Sequence, residues 1–120
     1  MTSIIERARE AAETRRAVAW TKASNELTQA VSVLLGEHFP EDYAIDDSKG
    51  VDKMVLVLPE ADLRFRLIGG QVTVWAWYSS NPWQPKKAGS YQWVGVRCLA
   101  DLGELIFPRE IEAEQAGVRG

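Results

Sequence analysis

The sequence predicts an α+β domain, with a long N-terminal helix on one face of a four- to five-stranded antiparallel meander and a short C-terminal helix after it. Three observations predict this. Apolar residues recur at helical spacing before Gly36, they alternate with a period of two from Tyr43 to Arg97, and short turn sequences join the alternating runs. Helix, sheet and helix in that order belong to the α+β class.

The first helix opens at Ser3. Ser3 and Glu6 have the S-x-x-E spacing of a capping box, in which the serine hydroxyl accepts from an early backbone amide. The helix is expected to run to about Leu35 and to stop at Gly36, with Pro40 beyond. Trp20, Ala23, Leu27, Val31 and Leu34 make one apolar stripe along its second half. Its first half is Ala-rich and charged, with Arg9 and Glu13 four residues apart, so residues 1–16 read as a solvated extension, a separate helix or a helical arm.

Four strands are expected in KMVLVLP, DLRFRLI, QVTVWAWYS and YQWVGVR, with YAIDD a weaker one before them. Their connections are SKGVD, PEAD, Gly69-Gly70 and a longer loop from Ser79 to Ser90. LADLGELI reads as the last helix, stopped at Pro108, and residues 109–120 as a polar tail carrying Glu110, Glu112 and Glu114. Residues 1–120 form a single domain, since no repeat, low-complexity tract or interdomain linker interrupts them.

The turns assign the faces. A two-residue hairpin at Gly69-Gly70 sets Leu67 opposite Val72, Phe65 opposite Val74, Arg66 opposite Thr73 and Arg64 opposite Trp75. A four-residue loop at PEAD sets Leu58 opposite Leu63 and Leu56 opposite Phe65. One side then collects Met54, Leu56, Leu58, Leu63, Phe65, Leu67, Val72, Val74 and Ala76, joined by Val94, Val96 and Cys98. The helical stripe is expected to cover it. The other side collects Val55, Val57, Arg64, Arg66, Thr73, Trp75, Trp77, Tyr91, Trp93 and Arg97. A slip of one residue would exchange the two.

Composition bounds what such a domain does. The chain has 120 residues, 46% of them hydrophobic, enough to bury about two thirds of its unfolded surface without metal or disulfide. The one cysteine, Cys98, excludes an internal disulfide and a multi-Cys zinc site, and points to a reducing, cytoplasmic setting. No signal sequence or membrane span is legible. The net charge is −3, unevenly placed: residues 1–60 carry seven Lys/Arg against eleven Asp/Glu, and residues 61–120 seven against six. Leu63 to Ala100 holds Arg64, Arg66, Lys86, Lys87 and Arg97 without a carboxylate, and Val72 to Arg97 holds four of the five tryptophans. A basic aromatic patch on an acidic protein follows.

That patch is the candidate site, comprising Arg64, Arg66, Trp75, Trp77, Trp83, Lys86, Lys87, Tyr91, Trp93 and Arg97. Exposed sheet faces ordinarily carry Thr, Lys, Glu and Ser, and a contiguous aromatic area normally meets something. A protein partner or a second copy is the first expectation, because Arg and Trp are the residues that concentrate binding energy at interfaces. Single-stranded nucleic acid, stacked on the rings, is the alternative. A small-molecule pocket under the loop 79–90 is a further one, serving a binder or a minor enzyme. The structural alternative is that another part of the chain covers the rings, with Arg64 over Trp75 as a cation–π pair.

Catalysis is not predicted, and no cofactor is implied. His38 is the single histidine and has no nucleophile or acid at a recognisable spacing. Cys98 reads as a small core residue. DDSKGVD lacks the glycine position and the terminal Glu of a calcium loop, so Glu41, Asp42, Asp46, Asp47 and Asp52 read as a solvated acidic hairpin rather than a metal site. Gly69-Gly70 has no helix after it to complete a phosphate loop.

Overall fold

The computed structural model describes residues 3–79, 81 and 88–107. Helix α1 spans Ile4–Leu35. The Ser3 hydroxyl accepts from the Glu6 amide at 3.1 Å, and Gly36, at a φ of 58°, closes the other end by donating its amide to the Ser32 carbonyl. A left-handed φ at that position is why glycine ends the helix there. Only its second half is packed. Residues from Ser3 to Lys22 are exposed apart from half-buried Ala12, whereas Ser24, Leu27, Val31 and Leu35 are buried. The predicted stripe therefore holds in its centre, but Leu35 takes the buried place at its end and Leu34 flanks it.

The sheet comprises β1 (Ala44–Asp46), β2 (Val55–Leu58), β3 (Leu63–Ile68), β4 (Gln71–Ser79) and β5 (Gly89–Gly95), in sequential order and antiparallel throughout. Helix α2 spans Leu99–Ile106. Gly69 and Gly70 have φ of 60° and 78°, the pair of positive angles a tight twisted hairpin needs. The register is the one expected: Leu67 pairs with Val72, Phe65 with Val74 and Arg66 with Thr73. Across the PEAD turn, Leu58 pairs with Leu63 and Leu56 with Phe65. Asp62 takes the left-handed φ of 53° that closes this turn, and its amide donates to the Pro59 carbonyl.

The core lies between α1 and the aliphatic side of the sheet. Phe65, Leu56, Val74 and Val31 are fully buried, with Leu27, Leu35, Met54, Leu58, Val96 and Leu102 around them. Leu63, Leu67, Val72 and Ala76 pack against this cluster half-buried. Leu102 and Leu105 bring α2 onto the same side.

Cys98 and Trp20 also leave the places expected of them. Cys98 is exposed, because β5 ends at Gly95 and the chain has turned to the N-cap of α2 before it reaches the cysteine. Trp20 is not sealed into the stripe. Its indole Nε1–H donates to the Asp47 carboxylate at 2.7 Å, tying α1 to the turn between β1 and β2. That turn is built by the Ser48 amide donating to Asp46 Oδ1 at 3.0 Å and the Gly50 amide donating to the Asp47 carbonyl at 2.9 Å. The acidic hairpin is thus the anchor for the one large ring on the helix.

Phe65→Ala removes the largest fully buried side chain and is expected to lower stability by about 3 to 5 kcal/mol, read as a shift of the urea midpoint. A midpoint close to the parent's would mean that the two faces of the sheet are exchanged.

Candidate binding site on the open face of the sheet

Strand alternation sends the other side chains to the face away from α1. Across it, Asp46 pairs with Val55, Val57 with Arg64, Arg66 with Thr73, Thr73 with Gly95, Trp75 with Trp93 and Trp77 with Tyr91. Four rings thus form two cross-strand pairs on β4 and β5. The Trp75 and Trp93 centroids are 5.3 Å apart and tilted, Trp77 meets Tyr91 edge to face at 5.4 Å, and Trp75 stacks along Tyr91 at 6.2 Å. These separations are those at which aromatic pairs attract beyond simple area burial. The rings are only partly covered: Trp75 is 40%, Trp77 36% and Tyr91 60% exposed.

Gly89 seats one of them. A Cβ on Gly89 would stand 2.8 Å from Trp77 Nε1 and 2.6 Å from the Tyr78 carbonyl oxygen, so the indole lies where only a glycine leaves room. The cation–π contact is made by Arg66, whose guanidinium stands 6.0 Å from the centroid of Trp93, and not by the expected pair of Arg64 and Trp75. The row explains the difference. Arg66 faces Thr73, so one small residue separates Arg66 from β5 and its long side chain can cross toward the neighbouring indole. Thr73 is itself buried there, and its hydroxyl donates back to the Arg66 carbonyl at 2.8 Å.

Beside the rings is a groove of about 480 Å³. It is lined by the cations Lys49, Lys53, Arg64 and Arg66, by Val55 and Val57, by Trp75 and Trp93, and by Asp46 and Ser48. Asp46 is its one carboxylate among the described residues. Hydrogen bonds from Ser48, first from its side chain and then from its backbone, hold the Asp46 carboxyl below the ordinary aspartate value, and Lys49 and Arg64 add to the effect. Asp46 is therefore ionised at neutral pH and offsets one of four positive charges. Arg66 Nε is buried and has no hydrogen-bond partner among the described residues.

Arg64, Arg66, Trp75 and Trp93 are thus brought together at the groove, and Trp77 and Tyr91 extend the ring cluster beside it. Arg97 is set apart: it lies beyond the end of β5, its side chain is 3.8 Å from Asp101, and its amide donates to the same carboxylate at 2.9 Å. Trp83, Lys86 and Lys87 lie outside the described residues. Sequence reasoning missed Lys49, Lys53 and Asp46 as members of the site. The signal was the parity of β1, which sends Asp46 to the ring face opposite Val55.

Among the described residues, no group of three His, Cys, Asp or Glu side chains is placed to hold a metal ion, and no helix is long and apolar enough to cross a membrane. His38 is exposed in the 3₁₀ turn after α1, with Glu37 at 3.8 Å. The chain matches no protein-family model, and neither a curated protein nor a solved structure resembles it significantly.

The Asp46 shift has a defined sign. Because its folded-state value is lowered, the stability it contributes is present above the ordinary 3.8 and is lost as the pH falls through the lowered value. NMR titration should place its midpoint below 3.8, and Ser48→Ala should move it upward by removing the largest cause.

Proposed function

We propose that this chain is a small non-catalytic binding or regulatory protein that grips an acidic segment of a protein partner on the open face of its sheet. The observation that supports the reading is the groove. Among the described residues, four cations and two indoles meet there around a single carboxylate. A carboxylate entering beside Arg66 gains charge-assisted hydrogen bonds, while the apolar part of the same segment covers Trp75 and Trp93. Arg and Trp side chains in one partly enclosed site are the usual composition of an interface hot spot. A reducing cytoplasmic setting suits the exposed Cys98 thiol.

Stacking of Trp75 along Tyr91, at an interplanar angle of 19°, favours single-stranded nucleic acid as the second reading. The groove cations count against it. They cluster on β3 and the turn before β2, away from Tyr91, and do not follow the ring row as a phosphate backbone would require.

The test is titration of the full chain with two fluorescent probes, a peptide of alternating Glu and Val and a short oligo-dT. The peptide is expected to bind and the oligonucleotide to bind more weakly. Changing Arg64→Gln and Arg66→Gln together should weaken the peptide at least tenfold, about 1.4 kcal/mol, with the urea midpoint kept. Arg97→Gln should weaken it less, since Asp101 already engages that side chain. Trp83→Ala, in the loop outside the described residues, should cost about 2 kcal/mol of affinity, as the loss of a hot-spot ring does. Tighter binding of oligo-dT would reverse the order of the two readings. Ready unfolding of the double arginine variant would assign those arginines to the fold.

A further inference from the structure

Independently of what the groove holds, we infer that β5 is the seam at which a second copy of this chain adds, antiparallel and about a two-fold axis at Gln92, to make one sheet continuous across two copies. Strand β5 closes the sheet opposite β1, with β4 as its one strand neighbour among the described residues. Which of its backbone groups face outward follows from one bond. The Val96 amide donates to the Val72 carbonyl at 2.9 Å, in line with the register that pairs Thr73 with Gly95. Neighbours along an antiparallel strand alternate in the side to which their amides and carbonyls point. Ser90, Gln92 and Val94 therefore turn theirs to β4, and Tyr91 and Trp93 turn theirs to the open side.

The two edges of this sheet are treated differently. Strand β1 is three residues long, carries Asp46 and lies between Asp42 and Asp47, so short length and charge guard it. Strand β5 is seven residues long and reads Gly-Ser-Tyr-Gln-Trp-Val-Gly, with no charge and no proline. A long neutral edge beside an exposed aromatic row is what natural sheets avoid unless another strand is to pair there.

The sequence of β5 identifies that strand as its own copy, because it is self-complementary about Gln92. Antiparallel pairing centred there sets Tyr91 opposite Trp93 of the second copy, Ser90 opposite Val94 and Gly89 opposite Gly95. Tyr91 and Trp93 are the residues with outward amides, so they make the hydrogen-bonded pairs, and the two glutamines form the close non-hydrogen-bonded pair at the axis. The ring row also continues. Trp75 and Trp93 of one copy would run on into Tyr91 and Trp77 of the other, covering Tyr91, the most exposed of the four rings on this face. Both copies would then present their Arg64 and Arg66 grooves on one side of the joined sheet and their α1 helices on the other.

Light scattering and sedimentation of the full chain at tens of micromolar test this. The parent is expected to have the mass of a dimer. Gln92→Glu and Gln92→Lys each set like charges against each other at the axis and should give monomers with the parent's circular dichroism, since Gln92 is exposed in the single copy. An equimolar mixture of the two should restore the dimer mass. In a Cys98→Ser background, Gln92→Cys should form an intermolecular disulfide on mild oxidation, a readout that does not depend on the charge variants folding. A monomeric parent would overturn the inference, as it would if the chain's own segment 108–120 occupied the edge. A dimer that persists in both charge variants, or a Gln92→Cys chain that does not cross-link, would place the contact elsewhere and overturn it equally.

Discussion

The register of β3 against β4 is the constraint from which the rest of this structure follows. Gly69 and Gly70 hold the two positive φ angles of a tight hairpin, and that turn sets Phe65 against Val74. Both are fully buried, so the apolar surface they remove from water stabilises this register over its neighbours. A slip by one place would put Arg64 and Arg66 under the helix and Phe65 into solvent. Desolvating two unpaired guanidinium groups costs far more than any gain from covering Trp75 and Trp77.

With that parity set, the open face has little freedom in what it shows. The residues that alternate with the core on β3 and β4 are Arg64, Arg66, Thr73, Trp75 and Trp77, and β5 adds Tyr91 and Trp93 beside them. Small residues then shape the face as much as the large ones do. Thr73 leaves the space through which Arg66 approaches Trp93, and Gly89 leaves the space in which the Trp77 indole lies. The basic and aromatic characters of the face are therefore coupled through packing.

Helix α1 divides into two parts with different physics. From Ala23 onward it is held by the core through Leu27, Val31 and Leu35. Ahead of that, Trp20 bonds to Asp47, and the preceding turns run out exposed from Ser3 with one half-buried alanine. A solvated stretch of that length is marginal as an isolated helix, so its order depends on propagation from the packed half and on the Ser3 cap. Asp47 thus does double service, shaping the β1–β2 turn through its carbonyl and fixing the helix through its carboxylate.

What the sequence by itself determined about this protein is whatever short-range pattern controls. The α+β order, the ends of α1 at Ser3 and Gly36, the hairpin register and the bounds of α2 at Leu99 and Ile106 were all legible, because caps, paired glycines and the two periodicities act over a few residues. The membership of the ring face followed from the same parity except for Arg97, which lies beyond the end of β5 beside Asp101. Tertiary structure decided what depends on side chains distant in sequence. It brought Lys49, Lys53 and Asp46 to Arg64, took Trp20 to Asp47, and chose Arg66 over Arg64 as the partner of an indole. It also moved Cys98 out of the core, since the chain leaves the sheet at Gly95 and no local signal marks where a final strand stops alternating. Periodicity names the face a residue occupies; which neighbour a long flexible side chain reaches across that face is settled by the space that the small residues between them leave open.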